Sequence, residues 1–186
     1  MQFLRDENVI VLEFLPRGHS IGRQEPIAQV IGDKYFSLLE VVVRKDADLK
    51  PGDKVYIGDA KRDKIDHIKR RVITNDLTSF AKSELPFVVE KLVKENEARF
   101  VNFFNTAQPI STRFHQLELI PGIGKKHLWD IINERKKSPF SSFEDIKKRI
   151  KLMPDPANSV IKRIMEELEN DNVRFRLFVA GPVKRF

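Results

Sequence analysis

Residues 119–126 read Leu-Ile-Pro-Gly-Ile-Gly-Lys-Lys, and 33 residues later 152–157 read Leu-Met-Pro-Asp-Pro-Ala. Leu119 aligns with Leu152, Ile120 with Met153 and Pro121 with Pro154. The same offset pairs Leu117 with Ile150, and Leu128, Ile131 and Ile132 with Ile161, Ile164 and Met165. A shared offset at the apolar positions of flanking helices marks an internal repeat. It predicts two helix-turn-helix units on one core. The first runs over 112–119, a tight turn, and 125 to about 136. The second runs over 143 to about 151, a turn, and 156–169. Ser142 is the expected N-cap of the third helix, with Glu144 and Asp145 favourable in its first turn. Asp155 followed by Pro156 starts the fourth.

The first turn carries the chemistry. Gly122 and Gly124 permit a backbone path that a Cβ would block. The turn opens into a helix, whose first N–H groups lack acceptors and sit at the positive end of its dipole. That end suits a phosphate oxygen, and Lys125 and Lys126 add full charge. The expected anchor is the N–H array of Gly122, Ile123 and Gly124 with those two lysines. Such a grip reads no base, so binding should be largely independent of sequence. Residues 119–126 resemble the hairpin of helix-hairpin-helix nucleic-acid-binding proteins. In the second copy Asp155 and Ala157 replace the two glycines, and Asp155 repels phosphate. That copy is expected to be structural.

Working outward, the charge follows the repeat. The chain has 186 residues, 34 Lys+Arg against 27 Asp+Glu, and a net charge of +7. Residues 1–75 contribute +2, 76–111 contribute −1 and 112–186 contribute +6. A localised excess points to a binding face for a polyanion. The clusters Arg135-Lys136-Lys137 and Lys147-Lys148-Arg149 fit either that face or simple complementation of helix C-termini.

Residues 1–75 read as β. Residues 8–15, 27–32, 35–44 and 54–57 are rich in Val, Ile, Leu, Phe and Tyr, and turn residues separate them; 65–73 is a possible fifth strand. In Lys50-Pro51-Gly52-Asp53, Pro51 sets the first central position of a turn and Gly52 supplies positive φ at the second. Four or five short strands suit a small OB- or SH3-like barrel. Residues 76–111 change to a helical period and read as a packed helical linker, with Ser83 as N-cap, Pro86 in the first turn and Gln108-Pro109 as the end. The fold class is therefore α+β: an OB-like barrel over 1–75, a linker over 76–111, a tandem helix-hairpin-helix domain over 112–170, and a C-terminal strand or tail over 171–186. The alternation of 173–179 suggests the strand.

Over most of its length the chain resembles the mostly archaeal domain-of-unknown-function 655 family. The resemblance rests on Glu25-Pro-Ile-Ala-Gln29, Tyr35-Phe-Ser-Leu-Leu-Glu40, Pro51-Gly-Asp-Lys-Val-Tyr-Ile-Gly58, Ser83-Glu-Leu-Pro-Phe87 and residues 62–71 and 116–126. It implies an OB-like barrel joined to tandem helix-hairpin-helix units, a pairing similar to that of the Holliday-junction protein RuvA. It further implies nucleic-acid binding, RNA rather than DNA, with ribosomal or RNA-processing proteins as partners. The segment 16–25 is shorter than is usual in that family.

The remaining constellations are weaker. Residues 61–71 are dense in charge, and Arg70 and Arg71 there could meet an RNA backbone, or lie on a solvated strand edge. Tyr56 is a candidate for base stacking. Cysteine is absent and the four histidines lack ligand spacing, so no metal site or cofactor is implied. There is no P-loop motif. No apolar run nears the ~20 residues of a membrane span, and residues 1–15 lack a signal-peptide layout, so a soluble, cytoplasmic protein is expected. The expected function is non-catalytic nucleic-acid binding. A protein-docking scaffold is the alternative. A glycosylase-like lyase using Lys126, with Glu144 or Asp145, is less favoured because no base pocket is apparent.

Overall fold

The computed structural model describes residues 5–20 and 24–181. The expected shortening within 16–25 falls partly on residues outside that range, as does the end of the expected C-terminal strand or tail.

The chain is α+β and divides into two units. One comprises residues up to Val88 together with those from Glu167 onward; the other is Val89–Glu166. Both divisions fall inside helices.

The first unit is built on five antiparallel strands: β1 (Asn8–Leu15), β2 (Ile27–Gly32), β3 (Leu38–Val43), β4 (Lys54–Tyr56) and β5 (Ile65–Arg71). Their order is β4-β1-β2-β3-β5. The ladder sets Val11 opposite Val30 and Val30 opposite Leu39, while Ala28 meets Val41. With side chains alternating across a strand, this register gathers Val9, Val11, Ala28, Val30, Leu39 and Val41 into one core face. β2 and β3 are buried along their whole length, which is why they read as continuous apolar runs. Register shifts lie at Val11/Glu13 in β1 and at two points between β3 and β5, and such bulges sharpen the local twist, curling the sheet. β4 and β5 pair antiparallel to β1 and β3 respectively, so both edge strands run in the same direction.

The turn after residue 49 forms as expected. Gly52 has φ +89 and Asp53 N–H donates to Lys50 O at 3.0 Å. The turn also docks on β1, since Gly52 N–H donates to Val11 O at 2.7 Å.

Asp6 fixes the bend between β2 and β3. It is buried, and its carboxylate accepts from the N–H groups of Lys34 (2.9 Å), Tyr35 (2.7 Å) and Ser37 (3.3 Å). These bonds hold Phe36, buried, at φ +54, a conformation that bulky L residues rarely adopt.

The opposite face of the sheet carries a polar belt. Buried Glu40 pairs with His19 at 2.9 Å and Arg70 at 3.2 Å. Burial pushes its carboxyl up, but the His19 hydrogen bond and the Arg70 charge outweigh that and hold it below the usual carboxylate range. Gln29, also buried, bonds Asp76 O and Thr78 N–H, and Thr78 Oγ1 donates to Glu13. This belt seats the start of α1 (Ser79–Glu95).

Here the sequence expectation needs correction. Ser83 is not the N-cap: the helix begins four residues earlier, where Thr78 Oγ1 accepts from Ala81 N–H at 3.1 Å. Pro86 therefore lies in the helix interior, where its missing N–H leaves one intrahelical bond unmade.

The expected strand over 173–179 does not form. Its N–H groups go elsewhere: Leu177, Phe178 and Val179 all donate to the buried carboxylate of Glu167, at 2.7, 3.1 and 2.9 Å. The segment then joins the sheet unit through Ala180 N–H to Tyr35 O at 2.9 Å.

The second unit holds α2 (Glu97–Thr106), α3 (Lys125–Lys137), α4 (Phe143–Arg149) and the greater part of α5 (Pro156–Glu169). Residues 112–119 are not the helix expected of the first repeat. Only Gln116–Leu119 forms a 3-10 turn, after an extended bridge between Pro109 and His115. The reason is local capping: the buried His115 ring accepts Leu117 N–H through Nδ1 at 3.1 Å, while Glu118 accepts His115 N–H at 2.9 Å. Ser142 caps α4 as expected, accepting from Asp145 N–H at 3.0 Å. The core of this unit includes Phe100, Phe104, Leu117, Ile131, Ile146 and Ile164.

Candidate functional site

The two turns of the repeat meet in the second unit. Gly122 has φ +87, and a Cβ there would lie 2.7 Å from Pro154 Cγ. Glycine is thus required twice at this position, by the left-handed backbone and by the proline of the other turn. Gly124 differs. Its φ is −91 and ψ −176, and nothing lies within 4 Å of a Cβ built on it. It is the N-cap of α3 and has no side chain to cap with. The first intrahelical bond is Leu128 N–H to Gly124 O at 2.9 Å. The N–H groups of residues 124–127 precede it and have no partner in the helix.

The N–H of Ile123 donates to Ile120 O at 3.1 Å, which removes it from the array expected of this turn. Its side chain is buried and anchors the turn instead. Lys125 is tied back, pairing with Glu118 at 2.7 Å. That ammonium, hydrogen-bonded to it, holds the Glu118 carboxyl below the usual carboxylate range. Lys126 is exposed and has no ion pair among the described residues. Trp129, 59% exposed, follows on α3, three residues from Lys126 and therefore on the same side of the helix. The sequence reading missed it. Its usable signal was spacing, since this tryptophan sits one helical turn beyond the two lysines. A shallow depression beside the turn is lined by Glu118, Pro121, Gly122, Gly124, Arg163 and Glu166.

The second turn is built oppositely. Asp155 caps α5, accepting Asn158 N–H on Oδ1 at 2.9 Å, and its carbonyl accepts Ser159 N–H at 3.0 Å. The positive end of α5 is thus occupied by a carboxylate of the chain itself. One member of the repeat is self-capped and the other is open. Leu152, at the same turn, is 88% exposed and held at φ +60.

The model of a family described as a protein of unknown function, DUF655, matches residues 5–180. The chain belongs to the DUF655 family. It is 46% identical over 170 residues to the uncharacterised protein MJ0038 of Methanocaldococcus jannaschii, covering 91% of this chain and 77% of that one. Among solved structures it is similar to that of Af1531 from Archaeoglobus fulgidus, with a TM-score of 0.84, 46% identity, and coverage of 94% of this chain and 100% of that chain.

The other candidate residues of this DUF655 chain belong to the first unit, and the open turn belongs to the second. Arg70 is held by Glu40 and by Asp76 at 3.4 Å. Arg71 donates to Gly181 O at 2.7 Å and Ser37 Oγ at 2.9 Å. Tyr56 is half-buried, and its hydroxyl accepts Ala60 N–H at 3.2 Å. These side chains are built into the first unit.

The basic clusters of the second unit divide the same way. Arg135 donates to Phe104 O and Ala107 O, both at 3.0 Å, at the end of α2. Arg149 bonds Glu134 O at 2.6 Å, Ser138 O at 2.8 Å and Asp145 at 3.2 Å, and stacks on Phe140 at 4.4 Å. Both arginines are structural clamps on helix C-termini. Lys136, Lys147, Lys148 and Lys151 are exposed. No helix is long and apolar enough to cross a membrane, and no cluster of metal-ligating side chains occurs among the described residues.

Proposed function

We propose that the chain binds nucleic acid without catalysis, gripping the phosphate backbone at the open N-terminus of α3. One observation carries the reading: two related helix starts lie in one unit, and only the one followed by Lys126 and Trp129 lacks a cap. Unpaired N–H groups and the helix dipole favour a phosphate oxygen there. Lys126 adds charge, and Trp129 offers a face on which an unpaired base can stack. In this reading residues 112–170 are a tandem helix-hairpin-helix domain with one working hairpin, and the curled sheet is an OB-like barrel left open between β4 and β5. Single-stranded or structured RNA is the favoured ligand, because an exposed indole needs unstacked bases. The protein acts in the cytoplasm beside ribosomal or RNA-processing partners.

The test uses Gly124→Asp, which gives the first turn the cap of the second. An N-cap aspartate should stabilise the helix by ~0.5–1 kcal/mol while filling the anion site. Trp129 is the single tryptophan of the chain, so its fluorescence reports occupancy directly. Titrations with single-stranded RNA, duplex RNA and duplex DNA across a salt series should give log–log slopes of roughly −0.7 to −0.9 per phosphate neutralised. Gly124→Asp should lose affinity by about tenfold or more, roughly 1.4 kcal/mol, with an unchanged or raised Tm. Absence of binding at low salt, or a variant that binds as the parent does, refutes the proposal.

A further inference from the structure

The first unit contains a cavity that the hairpin reading does not use. Its volume is about 520 Å³, and much of its wall is apolar: Phe36, Leu38, Val72, Ile73, Leu168 and Val179. That size falls within the range of small-molecule sites, roughly 300–1,000 Å³. Two guanidiniums, those of Arg71 and Arg176, also line it. Arg71 donates to Gly181 O and Ser37 Oγ. Arg176 donates to Glu167 O at 2.6 Å and Asn170 O at 3.3 Å. All four acceptors are neutral, and no carboxylate among the described residues pairs with either guanidinium. A guanidinium carries five N–H donors in a fixed fork, so each arginine retains unused donors.

Burial pushes the Arg71 guanidinium down, Asp6 opposes that, and the Arg176 charge lowers it further. Both cations line the same cavity, and each raises the cost of the other's charge. The carboxylates on the same walls do not neutralise them by pairing: Glu167 accepts three backbone N–H groups, and Asp171 is exposed. The floor is preorganised. Phe36 is held at positive φ by the bonds Asp6 makes to both sides of it, and strain of that kind persists only where the surroundings fix it.

We propose that this cavity binds a phosphate monoester carried on an apolar or aromatic body. The phosphate lies between Arg71 and Arg176, and the body rests against Phe36, Leu168 and Val179. A monoester phosphate carries close to two negative charges at neutral pH, matching two guanidiniums where a carboxylate would match one. Planar forks suit its oxygens, and the apolar walls exclude inorganic phosphate as the best fit. The group could be a free small phosphate or the terminal nucleotide of a strand.

Calorimetry on the full chain with phenyl phosphate, inorganic phosphate and benzyl alcohol tests the site. Phenyl phosphate should bind about tenfold more tightly than either of the other two, which each supply half of the recognition. Arg71→Lys keeps the charge but loses the fork, and Ala180→Trp fills the cavity; each should weaken phenyl phosphate by about tenfold or more. Arg176→Ala should do the same, and because Arg176 also closes the end of α5, the other two variants carry the test if this one unfolds. A 5′-phosphorylated trinucleotide compared with its 5′-hydroxyl form separates the sources. Discrimination lost in Arg71→Lys assigns a strand end; equal affinities alongside phenyl phosphate binding assign a free small phosphate. Phenyl phosphate binding no tighter than inorganic phosphate, or untouched by Arg71→Lys and Ala180→Trp, overturns the inference. Phenyl phosphate binding that survives in Gly124→Asp but is weakened by Arg71→Lys belongs to this cavity and not to the α3 N-terminus, so this site and the hairpin reading fail separately.

Discussion

Gly122→Ala and Gly124→Ala look equivalent in sequence, yet the structure gives them different consequences. At Gly122 the new Cβ faces two penalties. The backbone is left-handed at φ +87, and Pro154 Cγ lies 2.7 Å away, with Pro154 Cβ at 3.4 Å. A left-handed alanine costs ~1–2 kcal/mol, and pushing a packed ring aside costs ~1–3 kcal/mol. Reduced freedom of the unfolded chain offsets about 0.4–1 kcal/mol of this. The net expected loss is therefore ~1–4.6 kcal/mol. For a chain of this length that is a fall in Tm of roughly 2–18 °C. At Gly124 the backbone is extended and the space is empty. There the unfolded-state gain and the poorer N-cap nearly cancel, leaving a change within ~1 kcal/mol. Urea melts of the two single variants, followed by circular dichroism, decide the matter. Equal losses, or a loss below ~1 kcal/mol for Gly122→Ala, would refute the account of Pro154 as the neighbour that demands glycine. A consequence for assays is direct: a double replacement confounds unfolding with loss of function, whereas a change at Gly124 does not.

Three further outcomes are expected. Asp6→Asn should destabilise the sheet unit by ~2–4 kcal/mol in denaturant melts, because an amide cannot accept all three charge-assisted N–H bonds. Burial, joined by the charges of Arg135 and Lys125 and opposed by Glu118, lowers the pKa of His115. A lowered histidine pKa means the unfolded chain takes up the proton first as pH falls, so this contribution is complete above about pH 6.5 and lost below it. Melts between about pH 7.5 and pH 5 should show that slope, and it should flatten in His115→Asn. Leu152→Gly should raise stability by ~1 kcal/mol, since the residue is 88% exposed at φ +60 and loses strain without losing burial; a lower Tm would argue that its side chain is held by contacts.

What could be seen in the sequence was what is decided locally. The strands of the first unit declare themselves through β-branched runs and the Pro51-Gly52 turn. The open turn at 122–124 shows in its glycines, and the start of α5 in Asp155-Pro156. What escaped was decided at a distance. Val173 to Val179 alternates as a strand would, but Glu167 lies ten to twelve residues back and takes the N–H groups that a ladder would need. The 112–119 segment has helical spacing, yet the His115 ring caps Leu117 and turns the chain early. Charge is visible in a sequence and its partner is not. Arg149 and Arg135 count toward a basic face on paper, but their guanidiniums are consumed by carbonyls at helix ends. The exposure of Trp129 belongs to the same class, because burial depends on what the rest of the chain covers.

The joining of the two chain ends in one unit also bears on how the protein is made. The strands are translated first, but Tyr35 O and the Arg71 guanidinium meet two of their partners only when Ala180 and Gly181 exist. Between Val88 and Glu167 lie 78 residues. At ~5–20 residues per second, the ribosome takes roughly 4–16 s to cross that interval. During that time Tyr35 O and Arg71 lack those partners, while the helical unit, contiguous in sequence, can close first. Of the two units, the one whose strands are made first is completed last.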